Sequence, residues 1–156
     1  FTAAYEFVKD WDDRPKGIIF TGMVGVGKTH LVAAIINNLM VKKDVIPMFV
    51  NTPDLIAELR EAQFKDGEDS LANKLNKIKD CLLVCFDDLA KERMTDWVRE
   101  QYYRIINHRY INRLPVLVTT NCSMDQLDEK LGDATASRLI AMCEVIEVEG
   151  RDRRLG

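Results

Sequence analysis

The chain has 156 residues, 47% of them hydrophobic and 30% charged, with a formal net charge of -3. That length and apolar content suffice for one compact core and give no sign of a second domain, so residues 1–156 read as one unit. The balance of charge excludes a chain-wide electrostatic footprint for nucleic acid, and no apolar run approaches a membrane span or forms a signal peptide, which points to the cytosol and to no membrane partner.

In chain order, residues 17–21 form an apolar strand that runs into Gly22-Met23-Val24-Gly25-Val26-Gly27-Lys28-Thr29, followed by a helix over 29–42 with Leu31, Ala34, Ile35 and Leu39 at helical spacing. Residues 45–51 read as a second strand. Thr52 and Pro53 then look like an N-cap and first helical position, opening a helix to about residue 64. A turn over 65–69 precedes a short helix over 70–79, with Leu71, Leu75 and Ile78 on one face. The run 81–86 is continuously apolar, as in a strand buried on both faces of a parallel sheet. Thr95 caps a helix to about residue 113, residues 115–120 form another buried strand, Ser123 and Gln126 make a capping box, and 143–149 form the last strand. Five strands interleaved with helices predict an α/β three-layer sandwich.

The octapeptide 22–29 is a complete G-x-x-x-x-G-K-[ST] loop between a strand and a helix, the context in which it cradles phosphates. Its glycines let successive N–H groups approach a β-phosphate, and the helix that follows turns its positive end toward the anion. Lys28 reaches β- and γ-phosphate oxygens, and Thr29 ligates the Mg²⁺ that bridges them. His30 completes the segment expected to touch nucleotide. The Lys28 side chain is expected to face solvent when no ligand is bound.

Two further motifs end on polar residues. After the strand over 81–86, Asp87 is placed to hold Mg²⁺, and Asp88 to orient or deprotonate the water that attacks the γ-phosphate. Paired acids also occur at ordinary strand-to-loop transitions, and that reading stays open for Asp88. The strand over 116–120 ends in Asn121, whose amide can donate to phosphate and accept from water. The N-K-x-D guanine signature is absent, since 73–76 reads Asn-Lys-Leu-Asn, which favours ATP. Cys81, Cys85, Cys122 and Cys143 lack C-x-x-C spacing and read as small core residues. With only His30 and His108 as histidines, no zinc site is expected.

The stretches Gly-Val-Gly-Lys-Thr-His-Leu at 25–31, Asp87-Asp88, Asp96-Trp97-Val98-Arg99, Thr-Thr-Asn at 119–121, Ala-Ser-Arg-Leu at 136–139 and Gly150-Arg-Asp-Arg-Arg154 together resemble the AAA+ ATPase module of the DnaC/DnaI bacterial helicase loaders. The match runs from about residue 16 to 154, and IstB transposition ATPases share most of it. The resemblance implies a P-loop NTPase core with a mostly parallel sheet and no C-terminal helical lid. It also implies weak ATP hydrolysis in isolation and a switch role in placing a DnaB-type hexameric helicase on single-stranded DNA. Helicase binding would lie mainly in an N-terminal domain not included in this sequence, which begins at Phe1.

By position the resemblance makes Asn121 sensor 1, Arg138 an arginine finger reaching a neighbouring subunit's γ-phosphate, and Arg154 sensor 2, with Arg151 and Arg153 as competitors. A surface ion pair is the plainer reading of Arg138. Lys65, Lys74, Lys77 and Lys79 fall in a helical insert where DNA contact is implied, or form a solvated charged face. Tyr102, Tyr103 and Tyr110 read as core and rim. A phosphate-transferring kinase would need an arginine-rich lid before the last strand, which is absent; a DNA-binding module gated by nucleotide with negligible turnover is the remaining alternative.

Overall fold

The computed structural model describes residues 2–13 and 15–150. Five parallel strands, β1 (Gly17–Thr21), β2 (Met48–Asn51), β3 (Val84–Asp87), β4 (Val116–Thr120) and β5 (Cys143–Glu147), form one sheet in the order β2-β3-β4-β1-β5. Around it lie α1 (Thr2–Lys9), α2 (Lys28–Lys43), α3 (Thr52–Ala62), α4 (Leu71–Asp80), α5 (Asp96–Ile111), α6 (Met124–Leu131) and α7 (Asp133–Met142).

The sheet separates two apolar clusters. On one side Ile18, Phe20, Cys85 and Leu117 pack against Phe7 and Val8 of α1 and Val32, Ile35 and Leu39 of α2. On the other, Ile19, Val84, Phe86 and Val118 meet residues of α3 to α7. Strands buried on both faces explain the unbroken apolar runs in the sequence. The arrangement is the expected three-layer sandwich, and within the described residues all strand pairs are parallel.

The middle of the sheet sets the site. β1 lies between β4 and β5, with Ile18 opposite Leu117 and Glu144. The chain leaves β1 for the far edge and returns through β3 and β4, and such a reversal opens a crevice at the carboxyl ends of the strands. The phosphate loop and Asn121 follow the ends of β1 and β4, and Asp87 is the last residue of β3.

Several boundaries differ from the sequence reading. Residues 45–47 are not strand: Asp44 turns left-handed at φ 53° and the Val45 amide returns to the Leu39 carbonyl at 3.3 Å, wrapping the end of α2 before pairing starts at Met48. On α2, Val32 is buried and Ala34 exposed, so the core face is rotated from the predicted one. Asn51, not Thr52, caps α3, accepting from the Asp54 amide, while Thr52 is fully buried. β3 begins at Val84 rather than 81, because Arg109 takes the preceding carbonyls. Its guanidinium donates to Ile78 O (2.9 Å), Cys81 O (2.8 Å), Leu82 O (3.3 Å) and Pro115 O (2.7 Å), pinning the end of α4 and the entries to β3 and β4. Burial lowers the Arg109 pKa. The caps Thr95 and Ser123/Gln126 form as expected. Cys85, Cys122 and Cys143 are core residues, and burial pushes the Cys85 thiol up to about 12. α1 carried no expectation.

Candidate functional site

The turn from β1 into α2 is possible because of its glycines. Gly22 has φ 140°, and a Cβ there would stand 2.4 Å from the Val148 carbonyl oxygen, so no other residue fits. Gly25 and Gly27 also have positive φ, at 81° and 103°. Gly27 then serves as the N-cap of α2 without a side-chain bond, leaving first-turn amides available to an anion.

Lys28 is only 6% exposed. Its Nζ donates to Gly22 O at 2.8 Å, Met23 O at 2.7 Å and Asn121 Oδ1 at 2.7 Å. This corrects the expectation of a solvent-facing lysine: the loop's carbonyls curl over the ammonium, which would otherwise be buried without acceptors.

Asp87 at the end of β3 is also nearly buried. Its Oδ1 accepts from Thr29 Oγ1 at 2.9 Å and from Thr119 Oγ1 at 2.7 Å. The Thr119 hydroxyl in turn accepts from the Asp88 amide at 2.9 Å. Thr29 and Asp87 are therefore hydrogen-bonded neighbours that together offer hard oxygen donors suited to Mg²⁺, which keeps most of its waters and takes few protein ligands. Asp88 has a left-handed backbone at φ 56°, and its Oδ2 lies 3.4 Å from Lys91 Nζ.

These residues share a cleft of about 560 Å³ lined by Val24, Gly25, Gly27, Lys28, Thr29, His30, Asp88, Lys91 and Asn121. Across the loop a second pocket of about 290 Å³ is lined by Phe20, Val26, Leu31, Ile146 and Val148 together with Glu147 and Glu149, and Gly27 borders both. A cleft at the phosphate loop and a second pocket with aromatic and aliphatic walls, meeting at one glycine, suit the phosphates and the base of a nucleotide.

Arg138 lines neither pocket. Its guanidinium lies over the rings of Tyr103 (5.4 Å) and Tyr110 (5.9 Å), and Nη1 donates to Ala134 O at 2.9 Å. Its described neighbours are aromatic, not the carboxylate of a surface ion pair. Tyr102 is core and Tyr103 and Tyr110 rim, as read. Tyr102 donates to Glu92, and burial, then the Glu92 charge, raises its pKa well above the usual phenol value. Arg151, Arg153 and Arg154 lie outside the described residues. The insert lysines Lys65 and Lys77 are exposed and Lys74 and Lys79 half-buried, with Asp66, Glu68, Asp69 and Asp80 exposed beside them in sequence.

Sequence reading missed Thr119, Thr52 and Lys130. Thr119 had a signal, as a polar residue inside an apolar strand two positions before Asn121. Thr52 Oγ1 donates to the Asp88 carbonyl at 2.8 Å and Lys130 Nζ to the Ala90 carbonyl at 3.0 Å, partners 36 and 40 residues away that no local pattern announces.

The chain matches the family described as IstB-like ATP binding protein over residues 5–156. It is 34% identical to YqaM of Bacillus subtilis (strain 168) over 152 residues, 92% of this chain and 47% of that protein. With the replicative helicase loader DnaI of the same organism it is 29% identical over 169 residues, 99% of this chain and 53% of that one. Among solved structures, that of the DnaC helicase loader superposes with a TM-score of 0.85 at 31% identity, covering 95% of this chain and 87% of that chain. The chain thus spans about half the length of these curated relatives. Among the described residues no helix is long and apolar enough to cross a membrane.

Proposed function

This chain belongs to the IstB-like ATP-binding family of AAA+ P-loop ATPases, which includes the DnaC/DnaI helicase loaders, and from that premise we propose that it binds and hydrolyses ATP as the nucleotide switch of a cytoplasmic helicase loader. The observation that carries this reading is the joining of three strand ends by two hydrogen-bonded sets anchored on adjacent loop residues: Lys28 to Asn121, and Thr29 and Thr119 to Asp87.

In this reading the loop amides and Lys28 hold the β- and γ-phosphates, Lys28 exchanging its carbonyl acceptors for phosphate oxygens as ATP enters. Thr29 and Asp87 would hold Mg²⁺, which would supply neutralisation of phosphate charge. Asp88 faces the same cleft and orients the attacking water. Asn121 leaves Lys28 to bond the γ-phosphate or that water. Adenine occupies the pocket beyond Gly27, against Phe20, Val26, Leu31 and Ile146. Arg138 acts on a neighbouring subunit's nucleotide and Arg154 on its own. ATP state would then govern contact with a DnaB-type hexameric helicase and single-stranded DNA. A transposition role, as in IstB proteins, uses the same pocket and differs in its partner.

Phosphate release measured with Mg²⁺ and ATP, with and without a DnaB-type helicase and single-stranded DNA, tests the proposal. Slow turnover that rises on adding both supports it. Turnover that is absent under all conditions contradicts hydrolysis, and stimulation by DNA alone with no response to helicase contradicts the loader role.

A further inference from the structure

The turn that presents Asp88 to the cleft is built from unfavourable backbone. Asp88 and Ala90 both adopt left-handed conformations, at φ 56° and 65°. Aspartate tolerates this region; alanine does so only when its surroundings impose it. Ala90 is fully buried, so water does not satisfy its backbone.

The surroundings are specific. The Asp88 amide donates to Thr119 Oγ1 (2.9 Å) and its carbonyl accepts from Thr52 Oγ1 (2.8 Å). The Leu89 amide donates to Thr119 O (2.8 Å) and its carbonyl accepts from Thr120 Oγ1 (2.9 Å). The last bond comes from elsewhere: Lys130, in the final turn of α6, places Nζ 3.0 Å from the Ala90 carbonyl. A lysine there would ordinarily complement the negative end of its own helix. Here the ammonium instead reaches another element, 40 residues away in sequence, and the Lys130 carbonyl is itself held by Arg99 Nε of α5 at 2.8 Å.

We propose that Lys130 is a positioning residue for Asp88: its charge-assisted bond to the Ala90 carbonyl holds the left-handed turn that points the Asp88 carboxylate into the cleft. The three threonines fix the first half of the turn to the sheet. Lys130 fixes the second half, where the strained alanine lies. This inference rests on the reading of Asp88 as the water-orienting group. Lys130 touches neither substrate nor metal in this scheme, so its loss is felt in turnover rather than in ATP binding.

Lys130→Met keeps an unbranched helix-compatible stem and removes the ammonium. In the full chain, amide exchange over residues 88–91 should speed up by about tenfold or more while residues 84–86 and 116–118 stay protected. ATP affinity should stay within about threefold and turnover should fall by about fivefold or more, the pattern of an interaction lost only at the chemical step. Ala90→Gly added to Lys130→Met should restore both protection and turnover to within about twofold, since glycine takes the same φ without a clamp. Unchanged exchange at 88–91, exchange raised uniformly across the sheet, or failure of Ala90→Gly to restore protection would each overturn the proposal. If the wild-type chain shows no turnover, the hydrolysis reading fails, and exchange at 88–91 with its glycine rescue still decides on the clamp.

Discussion

The Lys28 ammonium and the Asn121 side-chain oxygen lie 2.7 Å apart, joining the phosphate loop to the end of β4. With the two loop carbonyls, the Asn121 oxygen gives the three donors of the ammonium three acceptors. The same placement lets Asn121 respond when Lys28 turns to phosphate. Asn121→Ala should therefore leave ATP affinity within a few-fold and lower turnover by about tenfold to a hundredfold, as for loss of a group that acts on developing charge. Paired titration calorimetry and phosphate-release rates check the split.

Asp88→Asn keeps size and hydrogen bonding and removes the carboxylate. With Asp88 as the water-orienting group, turnover should fall by about 10²-fold or more while affinity changes only a few-fold. Unchanged turnover would assign Asp88 to the turn alone, with its Lys91 contact as a surface pair.

Arg109 should dominate stability without touching chemistry. Replacing it with Met leaves the carbonyls of Ile78, Cys81, Leu82 and Pro115 without their donor. The bonds to Ile78 and Pro115 are the buried ones, and a buried orphan costs about 1–3 kcal/mol, offset in part by no longer burying a charge, so a net loss of about 2–4 kcal/mol is expected. Urea unfolding measures it; a loss below about 0.5 kcal/mol would show that water replaces the guanidinium.

What the sequence made legible was what is local. The phosphate loop, the Thr95 and Ser123 caps and the acid pair after an apolar strand each depend on neighbours a few residues away. The errors share one cause. Val45 looked like strand because it is apolar, yet its amide closes the end of α2. Cys81 and Leu82 looked like β3, yet their carbonyls serve Arg109. Thr52 looked like a cap, yet its hydroxyl serves the Asp88 carbonyl. Lys28 looked exposed because charge usually is, whereas the folded loop supplies its acceptors. In every case a specific hydrogen bond outweighs a local propensity, with a partner 27 to 36 residues away for Leu82, Cys81 and Thr52.

Arg138, stacked on Tyr103 and Tyr110, does not line its own cleft, so under the proposed finger role it would act on a neighbour's nucleotide. Specific activity should rise with protein concentration. Mixing Arg138→Ala with Lys28→Ala should recover part of the wild-type rate, because the second variant donates the arginine that the first lacks, a contribution that reaches about 10³-fold in related chemistry. An Arg138→Ala protein that is fully active when assembled would return the residue to a structural role.

The central claim is that the cleft around Lys28 binds ATP, and calorimetric titration of Mg-ATP into wild-type and Lys28→Ala protein tests it most directly. The variant loses the bonds to Gly22, Met23 and Asn121 and also relieves the burial of a charge, so its melting temperature should stay within a few degrees, at a loss of about 1 kcal/mol. Saturable binding of one ATP by the wild type, weakened by about a hundredfold or more in the folded variant, is the predicted result, equivalent to about 2.7 kcal/mol. Near-native affinity in the folded Lys28→Ala protein, or no binding by the wild type, would contradict the account.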